Sequence, residues 1–431
     1  MQPSILPSLS NIISRPWSKL ESPITATTAD PSSTPAGLDW YIGSESGDII
    51  LGSDISDWME GRGGNDYLIG GGGNDLLFGG RGVDFLRGGD GNDRLMGGSD
   101  ADVLTGDAGN DTLHGGGGSN LLLGGAGDDL LDVRWSTYEN RTEDFGRWRD
   151  EKRLATDEMY GGDGNDSMEG SFGTDLLYGD DGNDSLRGQD GDDRLFGGVG
   201  NDILRGDNGA DLLDGGTGDD KIWSGAGDDV MIGGAGRDVL HGDAGRDQID
   251  GGDGRDFIYG GSGNDTIRAG ADDDYVDGGR GDDAIFLGDG DDFVAAIDDL
   301  GRGDDVIYGE RGNDWIHGGR GDDRIDGGNG NDRLNGGAGT DILSGGAGSD
   351  IFEFRSQHGN DVITDFTAED ELHITTRING LVDLDADALA ARMSAFNGDT
   401  FLDLGEDNSI YFSGIDPGSL ATILQTNLIY L

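Results

Sequence analysis

Aspartate recurs every nine residues along most of this chain, each time inside a glycine-rich frame. Gly88-Gly89-Asp90-Gly91-Asn92-Asp93-Arg94-Leu95-Met96 is one copy of the pattern G-G-x-G-x-D-x-U-x, in which U is apolar. The sixth-position aspartates of a first block are Asp66, Asp75, Asp84, Asp93, Asp102, Asp111 and Asp129. A second block carries Asp166, Asp175, Asp184, Asp193, Asp202, Asp211, Asp220, Asp229, Asp238, Asp247, Asp256, Asp265, Asp274, Asp283 and Asp292. A third carries Asp305, Asp314, Asp323, Asp332, Asp341 and Asp350, and Asp361 holds the same place just beyond it. Carboxylates set in register beside the carbonyls of glycine backbone make all-oxygen cages. Such cages suit calcium, which tolerates loose oxygen coordination, better than magnesium or a transition metal.

Other chemistry finds little support. The histidines, His114, His241, His317, His358 and His373, are well separated, and neither H-E-x-x-H nor G-x-S-x-G occurs. Without cysteine there is neither a disulfide scaffold nor a thiolate metal site. Carboxylate pairs of the glycosidase kind abound, but their surplus makes any one pair uninformative. No catalytic residue is assigned, and the chain is expected not to be an enzyme.

The elements that position the carboxylates follow from the same nine residues. The first six read as a turn and the last three as a short strand. Glycines at positions one, two and four are expected to supply positive φ and close backbone approach. Strand alternation turns position eight inward and positions seven and nine outward. Position eight is Leu, Ile, Val or Met from Ile50 to Leu343, and Phe352 closes the series. Two nonapeptides complete a coil, so turns on one side lie 18 residues apart, with Asp66, Asp84 and Asp102 on one side and Asp75, Asp93, Asp111 and Asp129 on the other. Repeats this short cannot bury a face alone and must stack. The expected fold class is all-β: a right-handed parallel β-roll, a calcium-filled solenoid, with a small α+β C-terminal cap.

Some repeats depart from the pattern. Ser46 and Ile55 occupy position four, Asp100 and Asp272 displace the glycine there, and Asn120 replaces an aspartate. These rungs are expected to bind calcium weakly.

Composition points the same way. Of 431 residues 87 are glycine, and the hydrophobic share of 33% is too small for conventional cores. With 87 acidic against 29 basic residues, the formal net charge is -58. Such a chain repels itself unless cations condense it. Nucleic acid and anionic membrane surfaces are excluded as partners by charge. Pairing each turn with the next on its side gives roughly 25 sites. That many divalent ions would bring about +50, close to balance. No apolar run is long enough for a transmembrane segment. The start, MQPSILPSLSNIISRP, lacks the basic and apolar regions of a Sec signal, so export is expected to need another route.

The chain divides into five parts. Residues 1–42 are a Pro-rich N-terminal segment in which Ile5, Leu6, Leu9, Ile12, Ile13, Trp17 and Leu20 recur at roughly helical spacing, interrupted by Pro7 and Pro16. It reads as a cover for the open end of the stack, with a partner or membrane contact as the alternative. Residues 43–132 are the first β-roll block. Residues 133–160 hold an inserted loop and a degenerate repeat at 152–160. Residues 161–353 are the second and third blocks, broken at 296–299. Residues 354–431 are the C-terminal flanking cap. In it Asp385 or Asp387 is expected to N-cap a helix running through residue 395, residues 400–404 and 409–413 to form a hairpin, and Pro417 to open a last helix near 420–424.

Two features offer surface recognition. The inserted loop is a basic, aromatic island with Trp135, Tyr138, Trp148, Arg134, Arg141, Arg147 and Arg149. It reads as an extruded loop or as a contact for a glycan or protein. At position nine, Tyr160, Tyr178 and Phe196 fall 18 apart, as do Trp223, His241 and Tyr259 on the other outer face. These rows read as ladders that stabilise an exposed sheet or as a platform for a cell-surface glycan or protein.

The nonapeptide resembles the hemolysin-type calcium-binding repeat of RTX (repeats-in-toxin) proteins. The tail from Gly359, with NDVITDF and GDTFLDLG, is similar to the C-terminal flank of that family. The resemblance implies multiple calcium ions, export through type I secretion machinery by an uncleaved C-terminal signal, and a secreted, extracellular or cell-surface-associated location. Calcium is scarce in the cytosol and abundant outside, so the chain would stay threadable within and fold on exit. Many members carry a catalytic domain ahead of the repeats, and the family's toxins are acylated on lysine. Here about 40 residues precede the repeats and the lysines are Lys19, Lys152 and Lys221. The expected function is that of a structural or interaction protein in adhesion, matrix or host contact. The alternatives are a cytotoxin or hemolysin-like protein and a repeat-bearing remnant of a secreted hydrolase such as an RTX metalloprotease. Circular dichroism is predicted to be coil-like in chelator and to turn cooperatively to β on adding calcium; a folded chain in chelator contradicts this.

Overall fold

The computed structural model describes residues 27–28, 39–133, 156–295, 303–375, 381, 385–405 and 408–430. The N-terminal apolar residues from Ile5 to Leu20, the loop residues Trp135, Tyr138 and Trp148 with their arginines, and the break at 296–299 lie outside these. The chain forms two compact units, Met1–Thr142 and Glu143–Leu431.

In the first unit successive nonapeptides feed two parallel sheets alternately. Phe85–Asp90 pairs with Tyr67–Gly72 and Val103–Ala108, while Arg94–Ser99 pairs with Leu76–Arg81 and Thr112–Gly116. Register is one coil, as in Leu86↔Leu104 and Leu95↔Leu113. Parallel pairing begins at Asp39–Ile42, ahead of the first full repeat, where Trp40 stacks on Trp58 at 4.3 Å and Thr27–Thr28 lies antiparallel on the same strand.

The strands are longer than the three residues expected. Phe85–Asp90 covers positions seven to nine and the first three of the next repeat. The turn shrinks to positions four to six because the ladder runs on through the glycine pair, with Gly72 N–H donating to Ser53 O at 2.9 Å. The glycines therefore serve two different purposes. Gly89 and Gly91 adopt positive φ of 117° and 132°. Gly88, at position one, does not; it is glycine for space, since a Cβ there would lie 2.2 Å from Asp93 Oδ2. Position two stays left-handed even in Arg62, Asp107, Gln189 and Glu310, and position four in Asp100 and Asp272. The stacked coils impose that conformation at a cost of about 1 kcal/mol or more per residue. Ser46 and Ile55 do not adopt it.

Each strand buries its position-eight side chain. Leu68, Leu77, Leu86 and Leu95 are fully buried, and only the next position one also faces inward. The core is thus one apolar residue wide per strand.

The second unit repeats this arrangement from Glu158–Asp163 and Ser167–Glu169 onward. Across the undescribed residues 296–302 the interval between stacked aspartates grows from 18 to 22 residues, yet Ile285↔Ile307 and Val294↔Ile316 keep their register. Rungs continue beyond Glu353, with Asn360–Ile363 on Ile342–Ser344 and Glu371–Ile374 on Ile351–Phe354.

The cap grows from these last strands. Asp385 N-caps the helix Ala386–Ala390 by accepting from Ala388 N–H at 2.7 Å. The helix stops short of residue 395, because Met393–Phe396 is a strand. It turns at Asn397 and Gly398, φ 54° and 98°, into Asp399–Gly405. Asn-Gly favours this tight hairpin. Asp399–Gly405 pairs with Asn408–Phe412, which lies parallel on Asn360–Ile363. The helix Pro417–Asn427, N-capped by Asp416, leads into Leu428–Tyr430 on Glu371–Ile374. Each unit is an all-β parallel solenoid, and the second ends in a small C-terminal cap. Among the described residues no helix is long and apolar enough to cross a membrane.

Leu204→Ala, which empties one rung, is expected to lower the stability of the calcium-loaded protein by about 2–5 kcal/mol. Gln248→Ala, on an exposed position seven, should stay within about 0.5 kcal/mol. Thermal unfolding in excess calcium measures both.

Candidate metal sites

All the position-six aspartates named above are buried except the half-buried Asp305. Their two carboxylate oxygens meet different surroundings. Oδ1 accepts the backbone N–H of the aspartate one coil earlier: Asp66 N–H reaches Asp84 Oδ1 at 2.8 Å, Asp75 N–H reaches Asp93 at 2.7 Å, and Asp184 N–H reaches Asp202 at 2.7 Å. Oδ2 is buried with no hydrogen-bond partner in Asp84, Asp93, Asp102, Asp193, Asp211 and many of their equivalents. It lies against the position-one glycines. A Cβ built on Gly79 would meet Asp84 Oδ2 at 2.3 Å and, from the next coil, Gly97 O at 2.6 Å.

Carbonyl oxygens gather in the same turns. Gly71 O and Gly73 O face the same positions one coil on, 2.1 and 1.9 Å from where Cβ atoms of Gly89 and Gly91 would stand. Glycine at these places therefore leaves room for the oxygens that line the gap between coils. Position five adds a second ladder that the sequence reading did not resolve. Asn92 N–H donates to Asn74 Oδ1 and Asn110 N–H to Asn92 Oδ1, each at 3.0 Å, so this ladder runs opposite to that of position six. Its signal was present, since Asn or Asp fills position five in most repeats. Asp48, Asp57, Asp157 and Asp370 are further buried aspartates at the sixth place of a turn.

An ionised oxygen buried without a donor is costly unless a cation compensates it. The carboxyls respond accordingly: burial pushes Asp66 up to about 6, Asp84 to about 7 and Asp102 to about 9. Among the described residues no three His, Cys, Asp or Glu side chains converge as a metal-binding group. A cage here must combine carboxylate and carbonyl oxygens, which fits a hard, loosely coordinated ion such as calcium and not zinc.

The position-nine aromatics form stacks. Tyr160 and Tyr178 lie 4.9 Å apart and Tyr178 and Phe196 4.8 Å, with planes within 11°. On the other sheet Trp223 and His241 are 5.6 Å apart and His241 and Tyr259 4.7 Å. Arg205 covers Trp223 at 5.0 Å. Within each stack ring faces meet one another, so the middle rings present their edges outward. Trp135 and Trp148 lie outside the described residues.

The raised carboxyls set a pH dependence for the ion-free roll. Their folded values exceed the ordinary 3.8, so protonation favours the roll. That stabilisation is complete below about 4 and disappears as pH rises through about 6 to 9. In chelator, where the chain is expected to be coil-like at neutral pH, β structure should therefore increase as pH falls from 8 toward 5, because protons partly replace the cation. A β signal by circular dichroism that stays flat or falls over this range contradicts the assignment.

A family model, the RTX calcium-binding nonapeptide repeat (4 copies), matches overlapping stretches that cover residues 42–131, 155–294 and 300–352. No curated protein matches the chain. Among solved structures there is similarity to the extracellular lipase LipA from Serratia marcescens, at 17% identity and a TM-score of 0.23. The match covers 68% of this chain and 41% of the lipase. Buried carboxylates in register, glycine turns lined with carbonyls and the extent of the repeat match agree: the chain belongs to the RTX calcium-binding nonapeptide repeat family and binds multiple calcium ions.

Proposed function

We propose that this protein is a secreted, calcium-folded scaffold acting through its outer faces in adhesion, matrix or host contact, without catalysis of its own. The observation that carries the reading is the buried Oδ2 atom left without a donor in turn after turn. The position-six aspartates whose Oδ2 is open in this way serve as the calcium ligands, together with turn carbonyls. Bound calcium supplies the positive charge these oxygens require. The chain's residues fix the spacing of the sites, exclude solvent from them and hold the coils in register. Type I secretion machinery is the proposed export route, because a chain of net charge -58 stays expanded until calcium meets it.

The expected partner is a cell-surface glycan or protein. Calcium-loaded protein incubated with cells and extracellular polysaccharides should be retained, and chelator should release it; retention on neither counts against the reading. The aromatic stacks contribute mainly to stability, since their faces are spent on each other. Tyr178→Ser should weaken the loaded fold by about 0.5–1.5 kcal/mol. Retention lost in Tyr178→Ser or Trp223→Ser with thermal stability unchanged would instead assign recognition to the stacks.

A further inference from the structure

The open Oδ2 is not universal. Four residues before Asp48, Asp57 and Asp175 stands a serine. The N–H groups of Ser44, Ser53 and Ser171 donate to Oδ2 at 2.6, 2.7 and 2.6 Å, and their hydroxyls reach the same oxygen at 3.0, 3.2 and 3.2 Å. Each hydroxyl in turn accepts the N–H two residues on, from Ser46, Ile55 and Gly173, at 3.3, 3.4 and 3.3 Å. Thr367 builds the same arrangement on Asp370, one residue shorter, at 2.7 Å from N–H and 3.0 Å from Oγ1. None of the three serines adopts the left-handed φ that position two holds in ordinary turns, and leaving that region swings the N–H onto the carboxylate.

Two further turns reach the same end by other means. Asn120 keeps the Oδ1 bond from Asp102 N–H at 3.0 Å, but its Nδ2 stands where other turns have an open oxygen and donates to Gly118 O at 3.3 Å. At Asp361, His358 Nδ1 lies 2.5 Å from Oδ2, with both side chains buried.

These turns stand toward the margins of the blocks. Asp48 and Asp57 open the first block, and Asn120 belongs to its penultimate repeat. Asp175 is the next turn on its side after the repeat at 152–160, whose turn lacks the glycines, and Asp361 and Asp370 come last. In each of these turns a donor from the chain already stands at the oxygen, or at its Asn120 counterpart, that an ion would otherwise compensate.

We propose that the turns of Asp48, Asp57, Asn120, Asp175, Asp361 and Asp370 bind no calcium, and that hydroxyl, amide or imidazole donors from the chain take the ion's place to close the margins of the roll. This rests on calcium filling the ordinary turns, which one arm of the test checks separately. Native mass spectrometry of the full chain in calcium counts bound ions. Asp175→Asn should leave the parent's count unchanged. Ser171→Gly, which restores G-G-x-G-x-D, should add one ion. Asp211→Asn, in an ordinary turn, should lose at least one. Loss of calcium in Asp175→Asn, or an unchanged count in Ser171→Gly whose circular dichroism matches the parent, overturns the proposal. An unchanged count in Asp211→Asn overturns the reading of the ordinary turns, and this one with it.

Discussion

One buried carboxylate oxygen per turn governs this molecule. The roll cannot form without bringing position-six aspartates inside, because Oδ1 of each one anchors the backbone of the coil before it. The same burial strands Oδ2 beside position-one glycine and the next coil's carbonyl. A structural hydrogen bond and a demand for positive charge thus come from a single side chain. Removing the aspartate would relieve the charge and break the ladder together.

The rest of the architecture adapts to that constraint. A core one side chain wide offers little apolar burial per residue, so hydrogen-bond ladders and ions must supply what a thicker core would. Turns whose backbones lie this close favour glycine at positions one and four, while position two admits larger residues at a conformational cost. Where Arg62, Asp107 or Glu310 stands at position two, it accepts left-handed backbone rather than altering the coil. The register also survives lengthened intervals of 22 and 20 residues, because the extra chain is taken up between strands and the aspartate ladder resumes unchanged.

Coupling between ion and fold gives the charge a purpose. Carboxyls that burial pushes well above their ordinary range resist entering an ion-free roll at neutral pH. Calcium at the proposed sites would reverse that preference by compensating the carboxyls where they sit. Because the repeats bind calcium, the proposed sites would couple folding to the calcium concentration around the chain.

Much of this was legible in the residues alone. The period of nine determined the pairing interval, position eight the inward face, and the aspartates with the net charge the need for a divalent cation. Asn397-Gly398 also carried a hairpin signal, which the helical reading through residue 395 overrode. Only the tertiary structure decided which oxygen of each carboxylate is satisfied. The same aspartate is open in Asp193 and closed in Asp175, and the difference lies in a serine that leaves the left-handed region four residues earlier. Strand length, the opposed ladders at positions five and six and the stacking of ring faces were likewise settled by contact between coils. Residue type sets what a group can donate or accept; whether a partner stands within reach depends on backbone torsions that the neighbouring coil imposes.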